Sequence, residues 1–311
     1  MGIDILSASS KKESNMALKP RQLQLIDDSL EIAELEALDA GTLGFMAATL
    51  AQVTLPHSKQ KDTFYTRTNG NLTLTVRGHP KYGVPYGTVP RVVLAWICTE
   101  AVRTKSKTLI LGKSVNEFSK KLQMNHCGRD ARRLKQQCLA LARSIISIDC
   151  ENKLNNKLAF HDLQIITKGL MFWSDNHPDR ENKWDSTITL SDDFYKAITT
   201  CPVPFDMRSL QSLSKSPLAM DIYIWLLHRM YVLRISRRKT VLIPWAALKA
   251  QFGSSYSDDQ RGIRNFKIKF LERLKEVLLF YPEAHNFLED KGHHLKMVET
   301  KLKIKTATGQ N

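Results

Sequence analysis

Apolar residues recur at three- and four-residue steps along much of the chain, with short runs of period two between them. From residue 89 the order is well marked. Val89–Thr104 predicts a buried helix, and Thr108–Leu111 predicts a strand. Ser114 and Glu117 have the spacing of a capping box at the start of a second helix. Ala131–Ile145 predicts a third helix, whose other face is basic.

Two β-branched runs follow the third helix and predict a hairpin. They are SIISIDC and LAFHDLQIIT, on either side of the turn-prone residues 151–156. The predicted order is helix, strand, helix, basic helix, hairpin.

The same order returns about 130 residues later, with little identity between the residues themselves. Trp96 and Trp225 hold matching places in the two long helices and are predicted to be core anchors. The second series consists of a buried helix (Ser216–Leu233), a strand (KTVLI), a helix (PWAALKAQFG), a basic helix (Ser257–Pro282) and a hairpin turning at Asp290–Gly292.

The first 85 residues have a different character. Residues 1–20 are rich in Ser and Lys and are predicted to be disordered, whereas Arg21–Ala40 predicts an acidic amphipathic helix. Gly44–Pro56 predicts a further helix, and Asn69–Gly78 a half-exposed strand. We expect the acidic helix to mediate self-association or to cover a basic surface of the same chain.

The charge of the chain points to a polyanionic partner. Its 46 Lys and Arg residues exceed its 31 Asp and Glu residues, which gives a net charge of +15 and a pI near 9.6. Residues 1–40 are acidic, with 4 basic and 8 acidic side chains. The excess of positive charge therefore belongs to residues 41–311, and nucleic acid is the expected ligand.

Cysteine usage and hydropathy narrow the class of protein further. The five cysteines include no CxxC pair, which argues against a disulfide framework and a zinc ribbon. No apolar run approaches the ~18 residues of a membrane span. We therefore expect a cytoplasmic protein without a membrane partner.

No pattern in the chain predicts a catalytic site, a metal site or a cofactor. LGKS, residues 111–114, resembles the end of a phosphate-binding loop, but the position that requires the first glycine is Lys107. His293 and His294 are adjacent, so a strand would direct them to opposite faces. We expect no enzymatic activity.

The predicted fold class is α+β, with two tandem winged-helix-like domains and an N-terminal helical arm. A basic third helix in each domain is typical of a helix that enters the major groove. The predicted boundaries are 1–20 (disordered), 21–85 (arm with the acidic helix and a strand), 86–200 (first domain), 205–305 (second, DNA-binding domain) and 306–311 (tail).

The predicted DNA-binding residues come from the exposed faces of the two basic helices and from one connecting loop. A loop beside such a unit is well placed to contact phosphates. The candidates are Arg129, Arg132, Arg133 and Gln136 in the first domain, Arg261, Arg264, Asn265 and Lys269 in the second, and Arg237, Arg238 and Lys239 in the loop.

Several long stretches resemble the RepA-type replication initiators of plasmids, and together they cover nearly all of residues 20–305. The resemblance implies a protein that binds repeats (iterons) in double-stranded origin DNA, promotes origin opening and recruits host replication proteins, an initiator or a helicase. The sequence leaves undecided whether the protein acts as a monomer or as a homodimer. The stretches are GFMAATLAQVTLPH (44–57), RTNGNLTLTV (67–76), YGVPYGTVPRVVLAWICTEAVRTKSKTLILGKSVNEFSKKL (82–122), SPLAMDIYIWLLHRM (216–230) and residues 251–282.

Two other functions remain open at this point. A winged-helix transcriptional regulator, such as an autorepressor, would have the same composition and element order. A nickase is disfavoured, because the chain has neither a carboxylate cluster nor a His pair with ligand spacing.

Overall fold

The computed structural model describes residues 19–52, 54–69, 72–124, 128–152, 157–173, 183–200, 202–253 and 256–304. The chain forms two compact units. We call residues 44–203 the central unit, and residues 1–43 together with 204–311 the bipartite unit. The tail 306–311 and nearly all of the segment predicted to be disordered lie outside the described residues.

The described chain contains both helices and antiparallel strands, and this mixture confirms the α+β class. Two 3-10 turns, Leu213–Lys215 and Pro282–Phe287, complete the structure. The elements are α1 (Pro20–Glu34), β1 (Leu43–Ala47), α2 (Ala48–Gln52), β2 (Phe64–Asn69), β3 (Leu72–Arg77), α3 (Thr88–Thr104), β4 (Thr108–Gly112), α4 (Val115–Lys121), α5 (Gly128–Ala142), β5 (Ile145–Asn152), β6 (Lys157–Gln164), β7 (Ile166–Leu170), β8 (Ser186–Leu190), α6 (Asp192–Thr200), β9 (Pro202–Asp206), α7 (Met207–Ser212), α8 (Pro217–Ile235), β10 (Thr240–Pro244), α9 (Trp245–Phe252), α10 (Gln260–Phe280), β11 (Leu288–Asp290) and β12 (His294–Val298).

The segment 21–85, which the sequence predicts as one N-terminal arm, is divided between the two units. Residues up to Leu43 belong to the bipartite unit, and those from Gly44 onward belong to the central unit. The predicted helix over Gly44–Pro56 is in part a strand, because β1 precedes the short helix α2. Short apolar runs fit either element, and contacts with distant segments decide between them.

Among the described residues, two antiparallel sheets lie wholly within the central unit. The predicted hairpin is confirmed, since β5 and β6 pair along their whole lengths. This hairpin extends β3 and β2 into a sheet of order β2-β3-β5-β6. A second sheet has the order β4-β8-β7, so the strand between α3 and α4 pairs with a strand that follows the hairpin.

Three aromatic rings hold the helices of the central unit together. Trp96 of α3 meets Phe118 of α4 edge to face, with ring centroids 5.0 Å apart. Trp173 also stacks on Phe118, with ring centroids 5.5 Å apart. Ser114 caps α4 by accepting the N–H of Glu117, which confirms one half of the predicted capping box, whereas the carboxylate of Glu117 accepts the N–H of Lys113. Trp96 and Trp173 are buried, and Trp96 is the predicted core anchor.

A sheet of order β10-β12-β11 lies wholly within the bipartite unit, beside the helices α8, α9 and α10. The core of this unit is aromatic, and Phe270 of α10 lies at the centre. The rings of Trp225, Trp245, Phe252 and Phe266 all lie 5.6–6.0 Å from Phe270, centroid to centroid. Trp225 is buried, which confirms the second predicted core anchor. In the part of the chain that the structure describes, no helix is long and apolar enough to cross a membrane.

The acidic helix α1 packs on α10 and α7 in the bipartite unit. Leu25 and Ile32 are buried in this contact. At its N-terminal end, Arg21 forms an ion pair of 3.0 Å with Glu276 of α10. After the helix, the carbonyl of Leu35 accepts a hydrogen bond of 2.7 Å from Arg208. The helix is therefore part of the unit's core, while its acidic side chains lie on the outside.

Deleting residues 1–40 should lower the free energy of unfolding of the bipartite unit by about 3 kcal/mol or more. The deletion removes two buried aliphatic side chains, each of which typically contributes 2–5 kcal/mol relative to alanine. Urea unfolding measures the change. Deletion of residues 1–18, which leaves α1 intact, is the matched control and should have no such effect. Equal stability of the two truncated proteins would contradict the packing role of α1.

Candidate nucleic-acid interface

The N-terminal half of α10 presents a basic face to solvent. Arg261, Arg264 and Asn265 are exposed on one side, whereas Phe266 and Phe270 are buried on the other. Residues 260–269 contain four basic and no acidic side chains. Among the described residues, neither Arg261 nor Arg264 has a hydrogen-bond or ion-pair partner. We call Arg261, Arg264 and Asn265 the basic face of α10.

The start of α10 is fixed by a cap and by close packing. The carboxylate of Asp259 accepts the N–H of Gly262 at 2.6 Å and the hydroxyl of Ser257 at 2.7 Å. These two hydrogen bonds hold the pKa of Asp259 below its ordinary value. A Cβ at Gly262 would overlap the carbonyl oxygen of Ser257, so the turn lies directly against the helix. Lys249 of α9 adds an ion pair to Asp258.

The C-terminal half of α10 has another role. The carboxylate of Glu276 forms ion pairs with Arg21 of α1 and, at 2.5 Å, with Arg273. The side chains of Glu276 and Arg273 are both mostly buried. Glu272 lies on the same side of the helix as the basic face and pairs with Lys269 at 2.9 Å. Lys269 is thus engaged within its own helix, and Glu272 is the first acidic residue on this side of α10. Beyond it, α10 is anchored to the acidic helix α1.

The hairpin β11–β12 is tied to the N-terminal half of α10 through Lys267. Its ammonium donates to the carbonyl oxygen of Gly292 at 2.9 Å and pairs with Asp290 at 2.7 Å. Asp290 also accepts Nε1–H of Trp245 at 3.1 Å. The predicted turn over Asp290–Gly292 is confirmed, and Gly292 has a left-handed φ of 72°. The exposed tip, with Lys291 and His293, is held beside the basic face of α10.

Sequence reasoning missed the residues of this hairpin tip. Lys291 and His293 are exposed, and Lys291 pairs with Glu289 at 2.5 Å. His293 and His294 were considered only as metal ligands. The sequence does contain a signal, because Lys291 and His293 lie in the predicted turn after the basic helix, and basic side chains beside a DNA-reading helix are suited to phosphate contacts.

The structure does not bring the predicted loop residues to this place. Arg237, Arg238 and Lys239 are exposed at the beginning of β10. β10 runs from Thr240, paired with Val298, to Pro244, paired with His294 next to the hairpin tip. At about 3.3 Å per residue, the loop lies roughly 13 Å along the sheet from that tip.

In the central unit, α5 brings its four predicted residues onto one exposed face. Arg129, Arg132, Arg133 and Gln136 all point to solvent. The neighbouring Lys135 is held elsewhere, since its ammonium donates to the carbonyl of Trp173 at 2.7 Å. Within the described ranges, the three arginines have no ion-pair partner. This second basic face, like that of α10, therefore combines exposed arginines with one side-chain amide.

The glycine-containing turn over residues 111–114 is filled by a side chain of the protein itself. Glu117 accepts the N–H of Lys113 at 2.7 Å, and this bond holds the pKa of Glu117 below its ordinary value. Gly112 has φ of 113°, and a Cβ there would lie 2.5 Å from the carboxyl carbon of Glu117. A carboxylate thus occupies the position at which a phosphate-binding loop would present its amides.

The described residues also contain no group of three or more His, Cys, Asp or Glu side chains that could hold a metal ion. His126 and Cys127 lie outside them. Cys98 and Cys138 are buried, and burial raises the pKa of Cys98 to about 12. A thiol that stays protonated is a poor nucleophile.

Comparisons with known proteins agree with this architecture. Domains 2 and 3 of RctB share the fold, with a TM-score of 0.51 and 12% identity over 83% of this chain and 99% of theirs. A second crystal structure of these RctB domains gives a TM-score of 0.49 and 11% identity over 83% of this chain and 98% of that chain. No curated protein sequence matches significantly.

The family described as "Plasmid encoded RepA protein" matches residues 84–247, which span α3 to the beginning of α9. The matched region therefore includes the basic face of α5 and the long helix α8. Since the match covers just over half of the 311 residues, the chain belongs to the family of plasmid-encoded RepA proteins, the RepA-type replication initiators.

Proposed function

We propose that this protein initiates plasmid replication by binding repeats (iterons) in double-stranded origin DNA, and that it then promotes origin opening and recruits host replication proteins. The observation that carries the proposal is the basic face of α10 beside a fixed hairpin, in a chain of the RepA family. Its site of action would be plasmid DNA in the cytoplasm.

We further propose that each unit is a winged helix. In the bipartite unit, the order α8, β10, α9, α10, β11, β12 and the sheet order β10-β12-β11 support this assignment. In the central unit, α3, β4, α4 and α5 precede β7 and β8, and the sheet order β4-β8-β7 is equivalent. The hairpin β5–β6 would be an insertion between the third helix and the wing strands.

The two basic connections before β4 and β10 add to the likeness of the units. Lys105 follows α3 with a left-handed φ of 53°, and Arg237 follows α8 with a φ of 54°. Left-handed residues that are not glycine are uncommon. The same conformation at the same place supports two copies of one DNA-binding unit, and such a pair suits a long binding site.

Footprinting on the DNA that flanks its own gene tests the proposal. We expect a row of protected repeats at a regular spacing, with binding at least about a thousandfold tighter than to scrambled DNA at physiological salt. A plasmid that carries only this DNA should replicate when the protein is supplied in trans. Replication without the protein would contradict the initiator function. A single protected operator at the promoter would favour the autorepressor.

The protein should act without chemistry of its own. We expect purified protein neither to nick supercoiled origin DNA nor to hydrolyse ATP, with or without divalent metal. The occupied turn at Gly112 supports the second expectation. Gel electrophoresis and phosphate release measure the two activities. Reproducible cleavage that disappears when one side chain is replaced would contradict this expectation and would show that the protein is an enzyme.

A further inference from the structure

One apolar side chain lies within the basic surface of α10. Ile268 is 59% exposed, although Ile is a residue that proteins usually bury. At 3.6 residues per turn it projects between Arg264 and Asn265, one turn further along. A β-branched side chain is also a weaker helix former than Lys, Arg or Ala. Neither the core nor helix propensity therefore accounts for Ile268.

The surroundings of Ile268 are fixed. The preceding residue, Lys267, holds the hairpin tip through Gly292 and Asp290. From Arg261 to Ile268 the helix rises about 10 Å, which is the length of roughly three base pairs. Ile268 thus belongs to the same stretch of helix as the basic face and comes before Glu272, the first acidic residue of α10.

We propose that Ile268 contacts the C5-methyl group of a thymine in the origin repeat and makes binding specific for that base. This inference rests on the proposed function. The floor of the major groove is polar except for the thymine methyl group, which is the one apolar feature among its base edges. An exposed aliphatic side chain in the middle of a DNA-reading face is complementary to that group. The contacted base lies one step along from the bases that Arg264 and Asn265 read.

The test uses deoxyuridine, which pairs as thymine does and lacks only the methyl group. Each thymine of the footprinted repeat is replaced singly, and the Kd for the full-length protein is measured by fluorescence anisotropy. We expect one position, or two adjacent positions, at which the wild-type protein binds roughly fourfold more weakly, the effect of losing one buried methyl group. Ile268→Ala should bind the unmodified repeat more weakly by at least this factor and should be insensitive to deoxyuridine at that position.

Leu242→Ala is the matched control, since Leu242 is an equally exposed aliphatic residue of the same unit, on β10. It should keep the wild-type response to deoxyuridine. The inference is overturned if the wild-type protein prefers its repeat but tolerates deoxyuridine everywhere, or if Ile268→Ala retains the deoxyuridine effect. A change in sedimentation mass of Ile268→Ala with unchanged DNA binding would also overturn it, in favour of a protein contact. If the wild-type protein shows no preference for any repeat, the proposed function itself fails, and this outcome is distinct from the others.

Discussion

Arg264→Ala should weaken binding to the cognate repeat about tenfold to a hundredfold and should leave binding to scrambled DNA within a factor of a few. Arg264 is exposed near the start of α10, where a major-groove helix meets base edges. A bidentate contact from arginine to guanine contributes about 1–3 kcal/mol of discrimination. Because Arg264 has no hydrogen-bond or ion-pair partner among the described residues, its removal should not disturb the fold.

Arg238→Ala is the matched control for this prediction. Arg238 is equally exposed, but it lies at the other end of the sheet from the hairpin tip. We expect Arg238 to meet only phosphate, so its loss should weaken cognate and scrambled binding alike and reduce the salt slope by about one unit. Titrations of both variants with both duplexes across a salt series measure these effects. A selective loss of cognate binding in Arg238→Ala, with equal losses in Arg264→Ala, would reverse the assignment.

Gly262→Ala should lower the free energy of unfolding of the bipartite unit by about 2 kcal/mol. A Cβ at this position would overlap the carbonyl oxygen of Ser257 and would lie 2.7 Å from its carbonyl carbon. The backbone cannot withdraw easily, because Asp259 caps the helix through the N–H of Gly262. Overpacking of this kind costs about 1–3 kcal/mol or more and exceeds the gain in helix propensity of about 1 kcal/mol.

Asn265→Ala provides the control for Gly262→Ala within the same helix. Asn265 is exposed, so this substitution should change the stability by less than about 0.5 kcal/mol. Urea unfolding of both variants measures the difference. Gly262→Ala should also lose cognate binding, since the turn sets the position of the basic face. A Gly262→Ala protein at least as stable as the wild type would show that the turn can move away from the helix.

The two halves of α10 differ in their charge and in their contacts. The first half carries exposed positive charge and is braced against the hairpin by Lys267. The second half carries a buried ion pair, Arg273–Glu276, and is covered by α1. The acidic side chains on the outside of α1 would repel DNA from the second half. Under the proposed function, we therefore expect duplex DNA at the first half, beside the hairpin that Lys267 holds.

Much of the local structure was determined by the sequence alone. The helical spacing of apolar residues predicted α3, α5, α8 and α10. The spacing of Ser114 and Glu117 predicted the N-terminal cap of α4. Trp96 and Trp225 were placed in the core for the same reason. Such signals act between neighbours on one helix or one strand, so they are visible in the order of the residues.

Only the tertiary structure decided which segments meet. The sequence predicted the hairpin β5–β6 but not that it would pair with β3, nor that β4 would pair with β8. It predicted that Arg237–Lys239 form a phosphate-contacting loop beside the basic helix, but only the register of β10 shows that this loop lies at the end of the sheet away from the hairpin tip. A period of two shows that one face of a strand is buried, but it does not identify the neighbouring strand. Backbone hydrogen bonds between distant segments make that choice, and the position of every loop follows from it.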